Sequence, residues 1–340
     1  MTNVGTHQSF RILNIEPEGY AARAQKIIQS EAELELIQLN RSDLLRVLPN
    51  FHGLIIRLKH QIDREVINAG KQLQVIVSAT TGLDHIDVKY AEEKGITILS
   101  LQGEREFLRS VTATAELSWG LLIGLLRNMV PATNSVKSGV WNRDVFKGHD
   151  LRDRRIGILG LGRIGSMVAS YAQVFGMNVV AYDPHPAEWV EGVRRVHDLN
   201  SFLQESDVLM VHVPLNQETC GMIGSQELAC MPAGSFIVNT SRGEIIQEDA
   251  LIEALKSRHL AGAALDVIAE ERREQVGRGR PLMAYARNNN NLLITPHIGG
   301  ATFESMAKTE IFMAKKLTHF IHTQRQSSKG FSFVLERKVS

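Results

Sequence analysis

Short apolar runs and helix-periodic segments take turns along almost the whole chain. In the first hundred residues, runs at 10–15, 34–39, 53–57, 75–78 and 96–99 read as strands, and segments at 21–30, 44–48, 64–69 and 90–94 read as the helices between them. Further strands are expected at 155–159, 178–182, 208–213, 235–239, 262–265 and 292–295, and helices at 248–257 and 304–322, before a polar tail with a last apolar stretch at 331–335. Strands alternating with helices point to an α/β fold built on parallel sheets. With 340 residues the chain is long enough for two such domains. One segment departs from this rhythm. Residues 114–129, TAELSWGLLIGLLRNM, are apolar on almost every side, so a helix there has to be buried on all faces or shared with a partner.

The stretch that organises the pattern is RIGILGLGRIGSMVASYAQVFGMNVVAYD, residues 155–183. A buried strand runs into Gly160, Gly162 and Gly165, spaced G-x-G-x-x-G, and Ile164, Val168, Tyr171, Ala172 and Phe175 then recur at helical spacing. The first glycine permits a tight turn, the second lets backbone approach a pyrophosphate, and the third lets helix and strand pack closely. Amides at the helix start face the phosphates. Asp183, 18 residues after Gly165, ends the next strand and suits the ribose hydroxyls while repelling a 2′-phosphate. Pro184 follows it and no arginine stands beside it, so the cofactor read from these residues is NAD.

Charge and composition remove other classes. Thirty-eight Lys and Arg against 37 Asp and Glu leave a net charge of +1, which gives no global electrostatic footprint for nucleic acid or an anionic membrane. The N-terminal residues lack a signal pattern and the longest apolar run is too short to span a bilayer, so a cytoplasmic protein is expected. Cys220 and Cys230 lie ten apart with neither a Cys-x-x-Cys nor paired histidines, so two free thiols and no metal site are expected.

Three residues that could carry chemistry follow strands of the nucleotide region: Arg242 in NTSRGEII, Glu271 in LDVIAEE and His297 in ITPHIGGAT. Removing a hydride from a carbinol needs a base for the hydroxyl proton, a cation for the carboxylate and carbonyl oxygen, and a group that stabilises the protonated base. Asp266, at the end of a strand, is a candidate for hydrogen bonding the nicotinamide carboxamide or for capping a loop, and Pro214 suits a loop over the cofactor. Earlier, TTGLDHID at 80–87 is a turn whose amides around Gly82 suit a carboxylate, though an ordinary loop explains it equally well.

These pieces resemble the D-isomer-specific 2-hydroxyacid dehydrogenase family, to which D-3-phosphoglycerate and D-lactate dehydrogenases belong. The matching segments, in the family's order, are TTGLDHID, TATAEL, GLGRIG, HVPLNQET, NTSRGEII, AGAALDV and TPHIGGAT. The resemblance implies two Rossmann-like or flavodoxin-like parallel-sheet domains: a cofactor domain at 107–300, inserted into a substrate domain made of 1–106 and 301–340. It implies an NAD-dependent enzyme interconverting a D-2-hydroxy acid and its 2-oxo acid, with Arg242, Glu271 and His297 catalytic. It further places NAD contacts at Arg163, Ile164, Asp183, Pro214, Thr219, Thr240, Ser241, Arg242, Asp266, His297, Gly299 and Gly300, and substrate contacts at Arg57, Thr81, Gly82 and Arg242. Family members are usually homodimers, and the apolar 114–129 segment fits that seam.

The chain departs from the family pattern at Thr80, where many members have glycine, at Arg272, where proline usually stands, and in the basic segment 273–280, which reads as a solvated loop ahead of an extension of the site toward a phosphate or second carboxylate. With no regulatory domain after the last helix, amino-acid feedback is not expected. Two rival readings are an NAD(H)-sensing binding protein without turnover and an enzyme acting on formate or phosphite. The complete Arg–Glu–His set weighs against the first. Formate enzymes of the family carry Gln where Glu271 stands, which leaves phosphite.

Overall fold

In the computed structural model, residues 9–186, 188–271 and 279–336 are described, the last ten as helical backbone only. The chain divides into two compact units, one of residues 1–111 and 303–340, the other of residues 112–302. Each is built on one parallel sheet.

In the first unit, β1 (Arg11–Asn14), β2 (Glu33–Leu36), β3 (Gly53–Ile56), β4 (Val75–Ser78) and β5 (Thr97–Leu99) assemble in the order β2-β1-β3-β4-β5. The central strands GLII and VIVS are buried at every position, as helices on both faces require. Side-chain alternation splits them between two cores. Leu13, Leu54, Ile56 and Ile76 face one, and Ile12, Ile55, Val75 and Val77 face the other, which Met313, Ala314, Leu317 and Ile321 of the final helix complete.

The second unit has seven strands: β6 (Arg155–Leu159), β7 (Asn178–Tyr182), β8 (Arg194–Arg195), β9 (Val208–Val211), β10 (Ser235–Asn239), β11 (Leu260–Leu265) and β12 (Leu292–Ile294), ordered β12-β11-β10-β9-β6-β7-β8. Alternation works here too: Leu209, Val211 and Ile237 face one core, Val208, Met210, Phe236 and Val238 the other. Burying each such side chain contributes about 1.5–3 kcal/mol before entropy is counted. Every crossover between these parallel strands carries the chain back, so the chain leaves β6, β10, β11 and β12 at one edge of the sheet. The order turns at β6, with β7 on one side and β9 on the other, and that reversal is where doubly wound sheets open a crevice.

Several sequence expectations change in detail. The strand at 208–213 stops at Val211, with His212 N–H making the last bond to β6, to Leu159 O. Short helices at Leu199–Gln204, Ser225–Cys230 and Pro281–Asn288 have too few apolar repeats to be visible in the pattern. The last helix runs Phe303–Glu336, well past 322, because no proline interrupts the polar 323–330 segment that reads as a tail. The apolar helix Ala113–Leu126 is mostly covered inside its own unit, with Trp119 against Tyr171 and Phe175 and Leu122 fully buried. Exposed apolar side chains come just after it: Met129, Val130, Val136, Val140, Val145 and Trp141, the last 88% exposed.

Candidate active site

The glycine turn forms at the end of β6. Gly160 takes φ +89, a left-handed conformation that favours glycine, and its N–H donates to Tyr182 O at 2.9 Å. Gly165 lies so close to the strand that an added Cβ would stand 2.0 Å from Gly160 O. Gly162, the N-cap of the helix Arg163–Val174, is different: it is exposed, and nothing lies within 4 Å of the position its Cβ would take. That open cradle beside the first helical amides fits a pyrophosphate. Asp183, just past β7, accepts from Leu161 N through Oδ2 and from His185 N through Oδ1, both at 2.8 Å. Its carboxylate therefore ties the glycine turn to the next loop.

The second half of the site follows the neighbouring strands β10, β11 and β12. After β10, the Asn239 side chain spans the Thr240–Arg242 turn, accepting from Ser241 N at 2.9 Å and donating to Arg242 O at 2.8 Å. Thr240 shares a buried 2.6 Å hydrogen bond with Ser118, and Ser241 Oγ donates to Val211 O. Gly243 then presses against the exit of β11, where a Cβ would stand 1.9 Å from the Ile268 carbonyl carbon. The half-buried Arg242 is held through its guanidinium, with Nη1 donating to Ser241 O at 2.7 Å.

After β11, Asp266 is 1% exposed and accepts from Thr295 Oγ1 (2.6 Å), Ile298 N (2.8 Å) and Gly299 N (2.7 Å). Burial pushes its carboxyl above the usual range, against the pull of those three donors. Its backbone carbonyl also takes the N–H of His297, which sits at φ +53. Asp266 thus braces the whole turn that carries the histidine. His297 Nδ1 meets Glu271 Oε1 at 2.5 Å, with both side chains about one-fifth exposed. An ionised carboxylate only accepts, so opposite one Nδ1 is the donor of this bond, and in the neutral ring Nε2 then keeps its lone pair.

Sequence reasoning missed the residues that hold Glu271 in place. Glu248 accepts from Ala269 N and pairs with Arg280 at 3.1 Å, Glu244 accepts from Glu270 N, and Arg280 Nη1 donates to Ala269 O at 2.6 Å. Arg280 is therefore a partly buried brace, where a solvated basic loop is expected from its sequence. Residues 272–278, Arg272 and most of the basic segment among them, lie outside the described residues. The signal for Glu248 was present as an acid in the first turn of the helix Glu248–Lys256, but nothing local told which loop it would reach.

Pro214 and Thr219 belong to one loop after β9. Thr219 Oγ1 donates to Pro214 O at 2.6 Å and accepts from Asn216 N, so this hydroxyl closes the loop on itself. Of the suggested substrate residues, Arg57, Thr81 and Gly82 stand in the first unit. Arg57, after β3, gives Nη2 to Glu310 (2.9 Å) and to Glu18 O (2.9 Å). Burial raises the Glu310 carboxyl, and Ala21 N and Arg57 oppose that rise. Thr81 and Gly82 follow β4, where Thr80 Oγ1 donates to Gly82 O at 2.8 Å and so closes the turn in which glycine is more usual. Among the described residues no group of three His, Cys, Asp or Glu could hold a metal ion, and no helix is long and apolar enough to cross a membrane.

Fold and site define a dinucleotide-binding protein with a paired histidine and glutamate at the strand ends. Residues 119–299 match the model of the D-isomer specific 2-hydroxyacid dehydrogenase, NAD binding domain. The chain is 37% identical to D-3-phosphoglycerate dehydrogenase of Methanocaldococcus jannaschii over 86% of its own length, and spans about half (54%) of that protein. It is 36% identical to hydroxypyruvate reductase of Thermotoga maritima, again over 86% of this chain and over 93% of the relative. Among solved structures, D-lactate dehydrogenase from Aquifex aeolicus, complexed with NAD and lactic acid, superposes with a TM-score of 0.81 at 25% identity, covering 94% of this chain and 98% of that one. The chain belongs to the D-isomer specific 2-hydroxyacid dehydrogenase family, and NAD is the cofactor of its matched domain.

Proposed function

We propose that the protein catalyses the reversible, NAD-linked oxidation of a D-2-hydroxy acid to a 2-oxo acid. The observation that carries this reading is the 2.5 Å His297–Glu271 pair on the sheet edge that also bears the glycine turn. When bound, NAD supplies a hydride acceptor, held by the amides beside Gly162 and by Asp183.

Arg242 receives the substrate carboxylate, and its planar fork suits a two-point grip that lysine could not make. His297 Nε2 accepts the hydroxyl proton as the C–H hydride leaves. Glu271 keeps the ring in the tautomer that makes this possible and stabilises the imidazolium that results. Asp266 has its backbone and both carboxylate oxygens committed to the 295–299 turn, and so fixes where the imidazole stands. A cofactor role for Asp266, Pro214, Thr219, Thr240 and Gly300, and a substrate role for Arg57, Thr81 and Gly82, rest on the family match of their segments.

The likeness to the Thermotoga hydroxypyruvate reductase, which this chain covers almost fully, supports a small 2-oxo acid as substrate. Homodimer formation goes with this reading, and the exposed apolar side chains of 129–145 support a seam just past the Ala113–Leu126 helix. The thiols Cys220 and Cys230 are unpaired, as suits a reducing, cytoplasmic setting. The decisive test is NADH oxidation across 2-oxo acids of differing size and charge. Turnover with at least one, abolished in Arg242→Ala, is expected. Tight NADH binding with no turnover on any of them would overturn the reading.

A further inference from the structure

The second unit carries a cavity of about 370 Å³ at the opposite edge of its sheet. Its wall comes from places where strands begin: Phe236 in β10, Ala261 in β11 and Asn291 just before β12, with Leu125 and Leu126 from the last turn of the Ala113–Leu126 helix. Dinucleotides and their substrates lie at the carboxyl ends of such strands, so the reaction described above does not use this space.

The lining is chemically one-sided. It holds one guanidinium, Arg258, the amides of Asn128 and of 288–291, and His149, whose ring packs edge-on against Phe236 at 5.5 Å, but no carboxylate. Arg258 occupies the position after the helix Glu248–Lys256 and its Ser257 cap, at φ +61, where glycine is the usual residue. Among the described residues its side chain makes no ion pair or hydrogen bond. Arg258 is exposed, and the unsatisfied group of the lining is Asn291. Its Oδ1 accepts from Tyr285 OH at 3.1 Å, while Nδ2 is buried with no acceptor. A buried donor without a partner calls for one, and Asn291 is one of the residues that line the cavity.

We propose that this cavity is a binding site for a small organic monocarboxylate, separate from the catalytic edge. The guanidinium of Arg258 and the amide of Asn291 supply donors to the carboxylate oxygens. Leu125, Leu126, Phe236 and Ala261 receive a short hydrocarbon or aromatic body. A single cation with uncharged amides matches one negative charge better than the two of a phosphate ester.

Benzoate, benzamide and phenylphosphonate serve as probes in isothermal titration, with the Arg242→Met protein as host so that the catalytic edge does not compete for carboxylates. Benzoate is expected to bind this host at one site per chain, and at least tenfold more tightly than benzamide or phenylphosphonate. Adding Arg258→Gly is expected to weaken benzoate at least tenfold without lowering Tm, since glycine is at ease in the left-handed conformation. Arg258→Gly alone should leave turnover unchanged. Absence of benzoate binding in the Arg242→Met host, equal affinity for benzamide or phenylphosphonate, or an unchanged affinity after Arg258→Gly would each overturn the proposal.

Discussion

His297 and Glu271, 26 residues apart in sequence, share a 2.5 Å hydrogen bond between Nδ1 and Oε1. If this pair moves the proton, His297→Ala should lower kcat on the order of 10²-fold or more while NADH binding persists. Glu271→Gln keeps the size of the side chain but removes the charge that stabilises an imidazolium. It should lower kcat and move the pH–rate profile, and an unchanged profile would remove Glu271 from the proton path.

The arginine makes a different prediction. Arg242→Lys keeps a positive charge and loses the fork, so KM for the 2-oxo acid should rise and kcat fall together, with kcat/KM down roughly 10²-fold. Steady-state NADH oxidation reads both. Loss confined to KM would mean that the arginine only binds the substrate.

The glycines of the turn separate folding from cofactor binding. Gly162→Ala meets open space, so the variant should keep its Tm yet bind NADH roughly tenfold or more weakly, about 1.4 kcal/mol. Gly165→Ala would place a methyl 2.0 Å from Gly160 O and should lower Tm or prevent folding. Thermal melts with and without NADH distinguish the two, and equal Tm losses would contradict the assigned cradle.

Stability should fall on the acid side through His212. Its Nε2 is buried without a partner, and burial lowers its pKa from 6.5 to about 3. The unfolded chain therefore binds a proton that the folded one refuses. The stabilisation is complete above pH 6.5 and is lost progressively as pH falls toward 3. Between pH 7 and pH 5 the loss is on the order of 2 kcal/mol. Denaturant titrations of His212→Gln should show a flatter dependence over that range.

Trp141 and Val145 test the seam. They are 88% and 65% exposed in the single chain, so Trp141→Ser with Val145→Ser should turn a dimer into a monomer on light scattering without lowering the monomer's own stability. A wild type that is already monomeric would dispose of the proposed interface.

Much of this was legible in the amino-acid order because parallel strands buried on both faces leave continuous apolar runs such as VLMV and GLII, and because Gly160, Gly162, Gly165 and Asp183 act through local backbone geometry. The braces were not. Asn239 reaching across its own turn, Asp266 collecting donors from 295–299, and Glu248 with Arg280 behind Glu271 are polar contacts whose partners only the sheet brings near. The helix 113–126 could be read as buried or shared, and only packing showed that most of it is covered at home. Sequence periodicity carries no information about the left-handed backbone at His297, because that conformation is imposed by Asp266 from 31 residues away.

The split make-up of the first unit has a consequence on the ribosome. Met313, Ala314, Leu317 and Ile321 complete a core begun by Ile12, Ile28 and Val77, and Glu310 takes the N–H of Ala21. During translation the opening hundred residues must wait for the final helix while everything in between is made, roughly 10–40 s at typical elongation speeds. Over that interval the inserted unit can mature alone, and the nascent N-terminal segment, with one apolar face still uncovered, is the part for which a chaperone has most to do.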